Sequence, residues 1–455
     1  MLQPASHMGR IHTHLLPRKD MNPLAEQLNA ALAHGNPHIL DLLSRVGKNL
    51  FFPKGILSQS AEAKEKAHRI NATIGIAKEE GGIMCFPSVM EGLEYSPEEA
   101  LTYAPSFGIP ELRKAWQASL MEKNPSLGGK TLSLPVVTCG ITHAISVFAE
   151  VWCNAGDTVI LPDMMWGNYN LIMNVRLGVQ LKHYPIFNAS GGFNVEALGT
   201  LIREEAEKTG KAIVILNFPQ NPTGYAISKR EAKELVAVIR EVAEAGKKVL
   251  VVTDDAYFGL FYEEETLKES LFAHFADLHE NILALKLDGA TKENYVWGLR
   301  VGFMTYSTRI QGDPAPFYEA LERKTAGCIR GTISNASHIG QRIVLRSMKD
   351  PRNGEEHAQK YAILKSRAAR VKEVLKDPKY ADAFTPYPFN AGYFMCVRLK
   401  TVEAEKLRLH LLEKYGVGLI ALGKYDIRVA FSCIEETEVA PLFDILLQGI
   451  QDLMA

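Results

Sequence analysis

Cysteine is scarce in this sequence: 455 residues contain six, Cys85, Cys139, Cys153, Cys328, Cys396 and Cys433, none in CxxC spacing. That scatter supplies no zinc-ligand cluster, so no metal site is expected, and no disulfide framework for so long a chain. It fits free thiols in a reducing cytoplasm, the expected location. Long apolar runs are also missing, and none reaches the ~18 residues needed to span a bilayer. Neither charge sign is in excess: 51 Lys and Arg face 52 Asp and Glu, for a formal net charge of −1. A chain so balanced offers no field to nucleic acid or to an anionic membrane. There is no internal repeat and no low-complexity tract.

What is there reads as an ordinary globular protein, 47% hydrophobic and 23% charged, long enough for two or three domains. The first twenty residues stand apart. They carry His7, Arg10, His12, His14, Arg18 and Lys19, with no acid before Asp20 and no apolar stretch of the kind a secretory signal needs. An upstream start, an expression leftover and a weak organelle presequence all stay open, with Met21 a candidate native start. Residues 1–20 are expected to be a disordered extension.

The middle of the chain alternates short apolar runs with helical patterns. Val136–Thr138, Thr158–Leu161, Val179–Tyr184, Ala212–Phe218, Val249–Thr253, Ile282–Leu287 and Gly302–Thr305 read as strands. The clearest helix between them is Ser228–Ala245, where Ala232, Leu235, Ile239 and Val242 share one face and Ser228 with Glu231 forms a capping box. Strands alternating with helices predict an α/β fold with a mainly parallel sheet covered on both faces. Ligands in such sheets bind beyond the carboxyl ends of the strands. Later, Glu355–Lys376 reads as a long charged helix, and Tyr393–Leu399, Gly418–Leu422 and Asp426–Phe431 as strands of a smaller α+β unit. Glu438–Met454 reads as a closing helix with Thr437 as its N-cap. The expected organisation is a segment 21–84 contributing to the small domain, a large domain 85–360 and a small carboxy-terminal domain 361–455.

Three motifs fall just past predicted strands. Asn221-Pro222-Thr223-Gly224 follows Ala212–Phe218. By itself it is a turn sequence. Asp254, Asp255 and Tyr257 close the run that begins at Val249. A carboxylate there suits a cationic ring nitrogen, because desolvation strengthens such a pair, although an N-cap aspartate is the plainer alternative. Lys292 sits in a loop of small residues after Leu287, and Arg300 follows eight residues later. A buried lysine amine with a lowered pKa forms Schiff bases, and an arginine fork clamps phosphate. Lys286 lies nearby, but within the strand pattern.

In this order, the NPTG turn, the D-x-x-Y strand end and the K…G-x-R-x-G element resemble those of fold-type I, class I aminotransferases, the aspartate aminotransferase branch in particular. Their separations, 33 residues from Asn221 to Asp254 and 38 from Asp254 to Lys292, are similar to that family's. The likeness runs from about Ile70 to the carboxyl terminus. It implies a large, mainly parallel sheet domain with a smaller α+β domain, and pyridoxal 5'-phosphate as cofactor. It implies that Lys292 holds the cofactor as an aldimine and, once released, moves a proton from Cα to C4′. Asp254 would pair with the pyridinium nitrogen, making the ring an electron sink. Asn221 and Tyr257 would bond O3′, and Arg300 the phosphate, with Thr291 beside Lys292.

The junction Thr138-Cys139-Gly140-Ile141-Thr142 resembles the family's phosphate cup, where the N–H groups of Gly140, Ile141 and Thr142 meet the phosphate at a helix start. Trp166 matches the aromatic that stacks on the ring. One departure stands out: Gly289 occupies the position where the family often has a phosphate-binding Ser.

For substrate, Arg428 resembles the arginine that grips the α-carboxylate, and Gly75 the glycine whose backbone meets the substrate. Trp166 and Asn221 would border it too. Arg330 resembles the arginine that reaches the neighbouring subunit's site and binds a side-chain carboxylate, though the prolines that follow there are replaced by Ala336-Ser337. Tyr103 resembles the tyrosine that contacts the neighbour's phosphate. Both imply a homodimer with shared sites. The expected reaction is ping-pong transfer of an amino group from an amino acid, aspartate or an aromatic one, to a 2-oxo acid such as 2-oxoglutarate. The motifs leave open a lyase or decarboxylase on the same cofactor. A cofactor-sensing regulator would need a fused DNA-binding module, for which the amino-terminal stretch has neither length nor charge.

Overall fold

The computed structural model describes residues 21–52 and 55–455. The expected extension 1–20 lies outside the described residues. The chain parts into two compact units between Pro53 and Lys54. The described residues of the first hold three short helices, Pro23–Gly35, Pro37–Leu42 and Arg45–Asn49. Each starts on a capping side chain: Asn22, Asn36 and Ser44 accept from Leu24, His38 and Gly47 N–H at 2.9, 3.1 and 3.0 Å.

The second unit is built on a seven-stranded sheet. In chain order its strands are β1 Val136–Thr138, β2 Thr158–Pro162, β3 Gln180–Tyr184, β4 Lys211–Asn217, β5 Lys248–Asp254, β6 Ile282–Gly289 and β7 Gly302–Ser307. They lie side by side as β1-β7-β6-β5-β4-β2-β3. Only β7 runs against its neighbours. Alternate residues feed opposite faces: Val252 and Leu285 join one hydrophobic core, Val251 and Ala284 the other. Helix Gly140–Trp152 packs its apolar stripe into the first core. Helices Val195–Thr209 and Lys229–Glu244 cover the second. The latter starts with the Ser228–Glu231 capping box and buries Ala232, Leu235, Ile239 and Val242, as its periodicity predicts. Two buried faces explain why β4 to β6 are continuous apolar runs.

The smaller α+β part is a four-stranded antiparallel sheet in the order Phe384–Pro386, Phe394–Leu399, Asp426–Ala430, Ile420–Leu422. Helices Ala404–Tyr415 and Val439–Met454 share its core. Two local expectations are corrected here. The strand read as Gly418–Leu422 is two strands. Val417–Gly418 pairs in parallel with Ile70–Asn71, while Ile420–Leu422 pairs with Asp426–Ala430. The break coincides with a close approach of helix Ile56–Lys66: a Cβ on Gly418 would stand 2.7 Å from the Ala63 Cβ. The closing helix begins after Glu438, not Thr437, which lies in a 3₁₀ turn, Glu436–Glu438. Glu435 and Glu438 cap that turn reciprocally, and the closing helix itself starts without a side-chain cap.

Candidate active site

At the carboxyl end of the sheet, parallel register sets Asn217 of β4 beside Asp254 of β5, and Asp254 beside Leu287 of β6. The loops beyond enclose a cleft lined by Ile141, Thr142, Trp166, Asn217, Asn221, Asp254, Ala256, Tyr257, Thr291, Lys292 and Arg300. Sequence motifs up to 159 residues apart in the chain, from Ile141 to Arg300, therefore share one space.

Asp254 is 3% exposed. The Tyr169 hydroxyl donates to its Oδ2 at 2.5 Å, and the Ala256 N–H to its Oδ1 at 3.2 Å. Burial pushes its pKa up to about 6, against the Tyr169 hydrogen bond and the Lys292 charge, which pull it down. Lys292 lies in the single turn Ala290–Glu293 that follows β6, its amine 4.8 Å from the centre of the Tyr257 ring. Burial lowers its pKa to about 8; Asp254 opposes that shift and Arg300 adds to it. An amine poised there loses its proton far more readily than a solvated lysine.

The residues read from the sequence as a phosphate cup also come together. Helix Gly140–Trp152 starts without a side-chain cap, so its first-turn N–H groups face the cleft uncommitted. Gly140 has φ +74°, and a Cβ there would lie 2.6 Å from Arg300 Nη2. Glycine is thus what lets the guanidinium settle over the helix start. Gly289 ends β6, and a Cβ on it would come within 2.8 Å of the Val301 carbonyl oxygen. A serine side chain does not fit between β6 and β7, which accounts for the departure noted in the sequence.

Asn217 ties two of the motifs together. Its Nδ2 donates to the Asp254 carbonyl at 2.8 Å, and its Oδ1 accepts from the Asn221 N–H at 3.0 Å. The NPTG turn is closed by Gly224, φ +74°, where any Cβ would collide with the Phe394 carbonyl. Asn221 Oδ1 in turn accepts from Arg428 Nη1 at 3.2 Å.

Arg428, on strand Asp426–Ala430, is 2% exposed. Its Nη2 donates to the Thr73 carbonyl at 2.7 Å, its guanidinium lies 4.1 Å from the centre of the Phe394 ring, and its Nε has no partner. Burial lowers its pKa. No carboxylate among the described residues pairs with it. Gly75 borders the same space: a Cβ there would be 3.6 Å from the Tyr257 hydroxyl.

Two expected residues are not brought to this cleft. Tyr103 is 90% exposed. Arg330, on helix Pro314–Thr332, is exposed, and its Nη1 donates to Ser334 Oγ at 2.6 Å. Two side chains were missed. Tyr169 follows Trp166 by one helical turn and packs edge-on against it at 5.6 Å. Asn217 ends β4 level with Asp254, a relation that follows once β4 and β5 are aligned in parallel.

The cleft suits a phosphorylated, cationic-ring aldehyde. It has a buried carboxylate, a lysine with a lowered pKa, an arginine over a helix start, and a glycine cradle that a Cβ would fill. A model of the family described as "Aminotransferase class I and II" matches residues 68–446. A probable N-acetyl-LL-diaminopimelate aminotransferase of Bacillus subtilis (strain 168) is 24% identical over 348 residues, 75% of this chain and 79% of that one. A probable aspartate/prephenate aminotransferase of Aquifex aeolicus (strain VF5) is 25% identical, covering 84% of this chain and 93% of its own length. Among solved structures, an aminotransferase from Anaerococcus prevotii superposes with a TM-score of 0.79 at 25% identity, over 90% of this chain and 99% of that one. Aspartate aminotransferase from Thermus thermophilus with maleate gives 0.70 at 18% identity, over 90% and 99%. With its motifs gathered in one cleft and its family matched over most of its length, this chain belongs to the class I and II aminotransferases and is a pyridoxal-phosphate-dependent transaminase.

Proposed function

We propose that this enzyme moves the amino group of a dicarboxylic amino acid, aspartate foremost, to 2-oxoglutarate in two alternating half-reactions. The observation that carries the amino-acid reading is Arg428, a buried guanidinium with one nitrogen unpaired and no carboxylate partner among the described residues; the preference for a dicarboxylic donor rests on Arg330. A buried cation of this kind calls for an anion. An α-carboxylate supplies it and sets the amino group toward Lys292.

Bound pyridoxal phosphate supplies the carbonyl that accepts the amino group and a ring that takes up the electrons left at the substrate Cα. Asp254 holds a positive charge on the ring nitrogen, and Tyr169 steadies Asp254. Asn221 and Tyr257 orient the ring through its oxygen, and Trp166 covers its face. Arg300 and the N–H groups of Gly140, Ile141 and Thr142 take the phosphate, beside Thr291. Lys292 anchors the cofactor and, when freed by the substrate amine, takes the proton from Cα. Gly75 lets the substrate approach. Arg330 and Tyr103, both exposed, are assigned to the neighbouring site of a homodimer, Arg330 on the side-chain carboxylate and Tyr103 on the phosphate.

The test mixes enzyme, aspartate and 2-oxoglutarate and follows oxaloacetate. Turnover with tyrosine or alanine, but none with aspartate, would sink the dicarboxylate reading and favour an aromatic or small donor.

A further inference from the structure

Behind the cleft, on the other face of the sheet, lies a second set of charges that the reaction does not use. Lys286 of β6 is fully buried. It is ion-paired with Asp255, and its Nζ lies 3.6 Å from Asp288 Oδ2. Asp255 also accepts from Ser270 Oγ at 2.5 Å, and Ser270 N–H donates to Asn124 Oδ1 at 2.7 Å. Asp288 Oδ2 accepts from the Trp116 indole N–H at 3.0 Å, while its Oδ1 has no partner. Lys123 lies 5.6 Å from the Trp116 ring and pairs with Glu293 at 2.6 Å.

The arrangement is legible in register. Along β6, side chains alternate faces, so Lys286 and Asp288 lie on the side opposite Leu285 and Leu287. Asp255 directly follows Asp254, and Glu293 directly follows Lys292. Each of the two groups at the heart of the cleft is therefore joined through one peptide bond to a carboxylate of the hidden network. Lys286 and Lys123 are the cations that network contains, against Asp255, Asp288 and Glu293. Buried carboxylates without counter-ions are unfavourable, and their charge reaches far at low dielectric.

We propose that Lys286 is a positioning residue for the transamination: by pairing with Asp255 it fixes the strand end that presents Asp254 and cancels the second carboxylate behind it. The inference rests on the reading of Asp254 and Lys292 as the cofactor's partners. With Lys286 in place, the ring nitrogen faces the field of a single carboxylate. The titratable and charged groups facing the two centres are few. Around Asp254 they are Tyr169, Tyr257, Lys292 and Asp255, and around Lys292 they are Asp254, Arg300 and Tyr257. Around Lys286 stand Asp255, Asp288 and Glu293, with His357 and Glu356 beyond Glu293.

The test is a spectroscopic pH titration of the holoenzyme, following the absorbance of the lysine-linked cofactor. Lys286→Met leaves Asp255 unbalanced, which favours the protonated linkage and raises the midpoint. Asp255→Asn leaves Lys286 to Asp288 and lowers it. Each shift should be on the order of 0.5–1 unit, the size produced by one added buried charge at an effective dielectric of about 20. The double variant Lys286→Met/Asp255→Asn, which conserves net charge, should return close to the wild-type midpoint. A purely structural role for Lys286 predicts no such opposition of sign. Should Lys286→Met alone not fold, Asp255→Asn against the double variant reads the same opposition. Unchanged midpoints in the variants, or movement in one direction only, overturn the proposal. Cofactor absorbance that survives Lys292→Ala overturns instead the reading on which it rests.

Discussion

The Tyr169 hydroxyl donates to Asp254 Oδ2 at 2.5 Å. This tyrosine is the only side chain that hydrogen-bonds that carboxylate among the described residues, the other donor being the Ala256 N–H. Both partners are buried, so the bond is made where water does not compete.

Tyr169→Phe is expected to raise the Asp254 pKa beyond about 6, because the hydrogen bond is one of the contributions holding it down against burial. The carboxylate is then less ionised near neutral pH. Cofactor affinity should fall about 10-fold, as loss of a charge-assisted bond implies, and the loss should deepen as pH drops from 8 to 6. Fluorescence titration with pyridoxal phosphate at several pH values measures this. An affinity loss equal at every pH would assign Tyr169 a packing role only.

Lys292→Ala is expected to abolish the absorbance of the lysine-linked cofactor while making the cofactor-free protein more stable at pH 7. The sign follows from its pKa, lowered to about 8 by burial from an ordinary 10.5. The unfolded chain holds that proton more tightly than the folded one. The penalty is full below about pH 8 and fades as pH rises to 10.5. The variant should gain on the order of 1–3 kcal/mol at pH 7, with the gap closing between those two pH values. Thermal unfolding of both apo proteins across this range decides it.

Arg428→Met should raise KM for the amino donor by about 100-fold or more, since an unpaired substrate carboxylate is left facing an apolar site. Arg428→Lys should recover only part, because an ammonium keeps the charge but not the fork. Amines lacking a carboxylate should react equally poorly with all three enzymes. A KM for aspartate unchanged in Arg428→Met would remove Arg428 from the substrate site.

Gly140→Ala should weaken cofactor binding about 10-fold or more, because the new methyl meets Arg300 and φ +74° is unfavourable for alanine. Inorganic phosphate should lose its competition with the cofactor in step. Equilibrium dialysis of cofactor from the variant checks both effects.

Much of this arrangement could be read before any coordinates. The strands β4 to β6 are long apolar runs because both their faces are covered, and runs of that kind are legible in one dimension. Lys292, Asp254, Tyr257 and Asn221 were legible because each lies just past such a run, and Arg300 because it follows Lys292 by eight residues. The missed residues have no such marker. Tyr169 is ordinary in sequence and acquires meaning only when its helix is laid against β5. Asn217 reads as the last polar residue of a strand until β4 and β5 are aligned. The split at Leu419 was hidden for a related reason: the apolar pattern continues across it, and only the approach of Ala63 to Gly418 shows that the chain changes sheets there. Contacts between remote segments leave no periodic trace.

Arg428 joins three such segments at one point, bonding the Thr73 carbonyl and the Asn221 side chain from its own strand. A small carboxylate that binds there senses residues 73, 221 and 428 at once, and finds them together only in the folded chain. Such acids should therefore act as folding ligands: even a non-reactive dicarboxylate should raise the melting temperature with its concentration, and that rise should vanish in Arg428→Met.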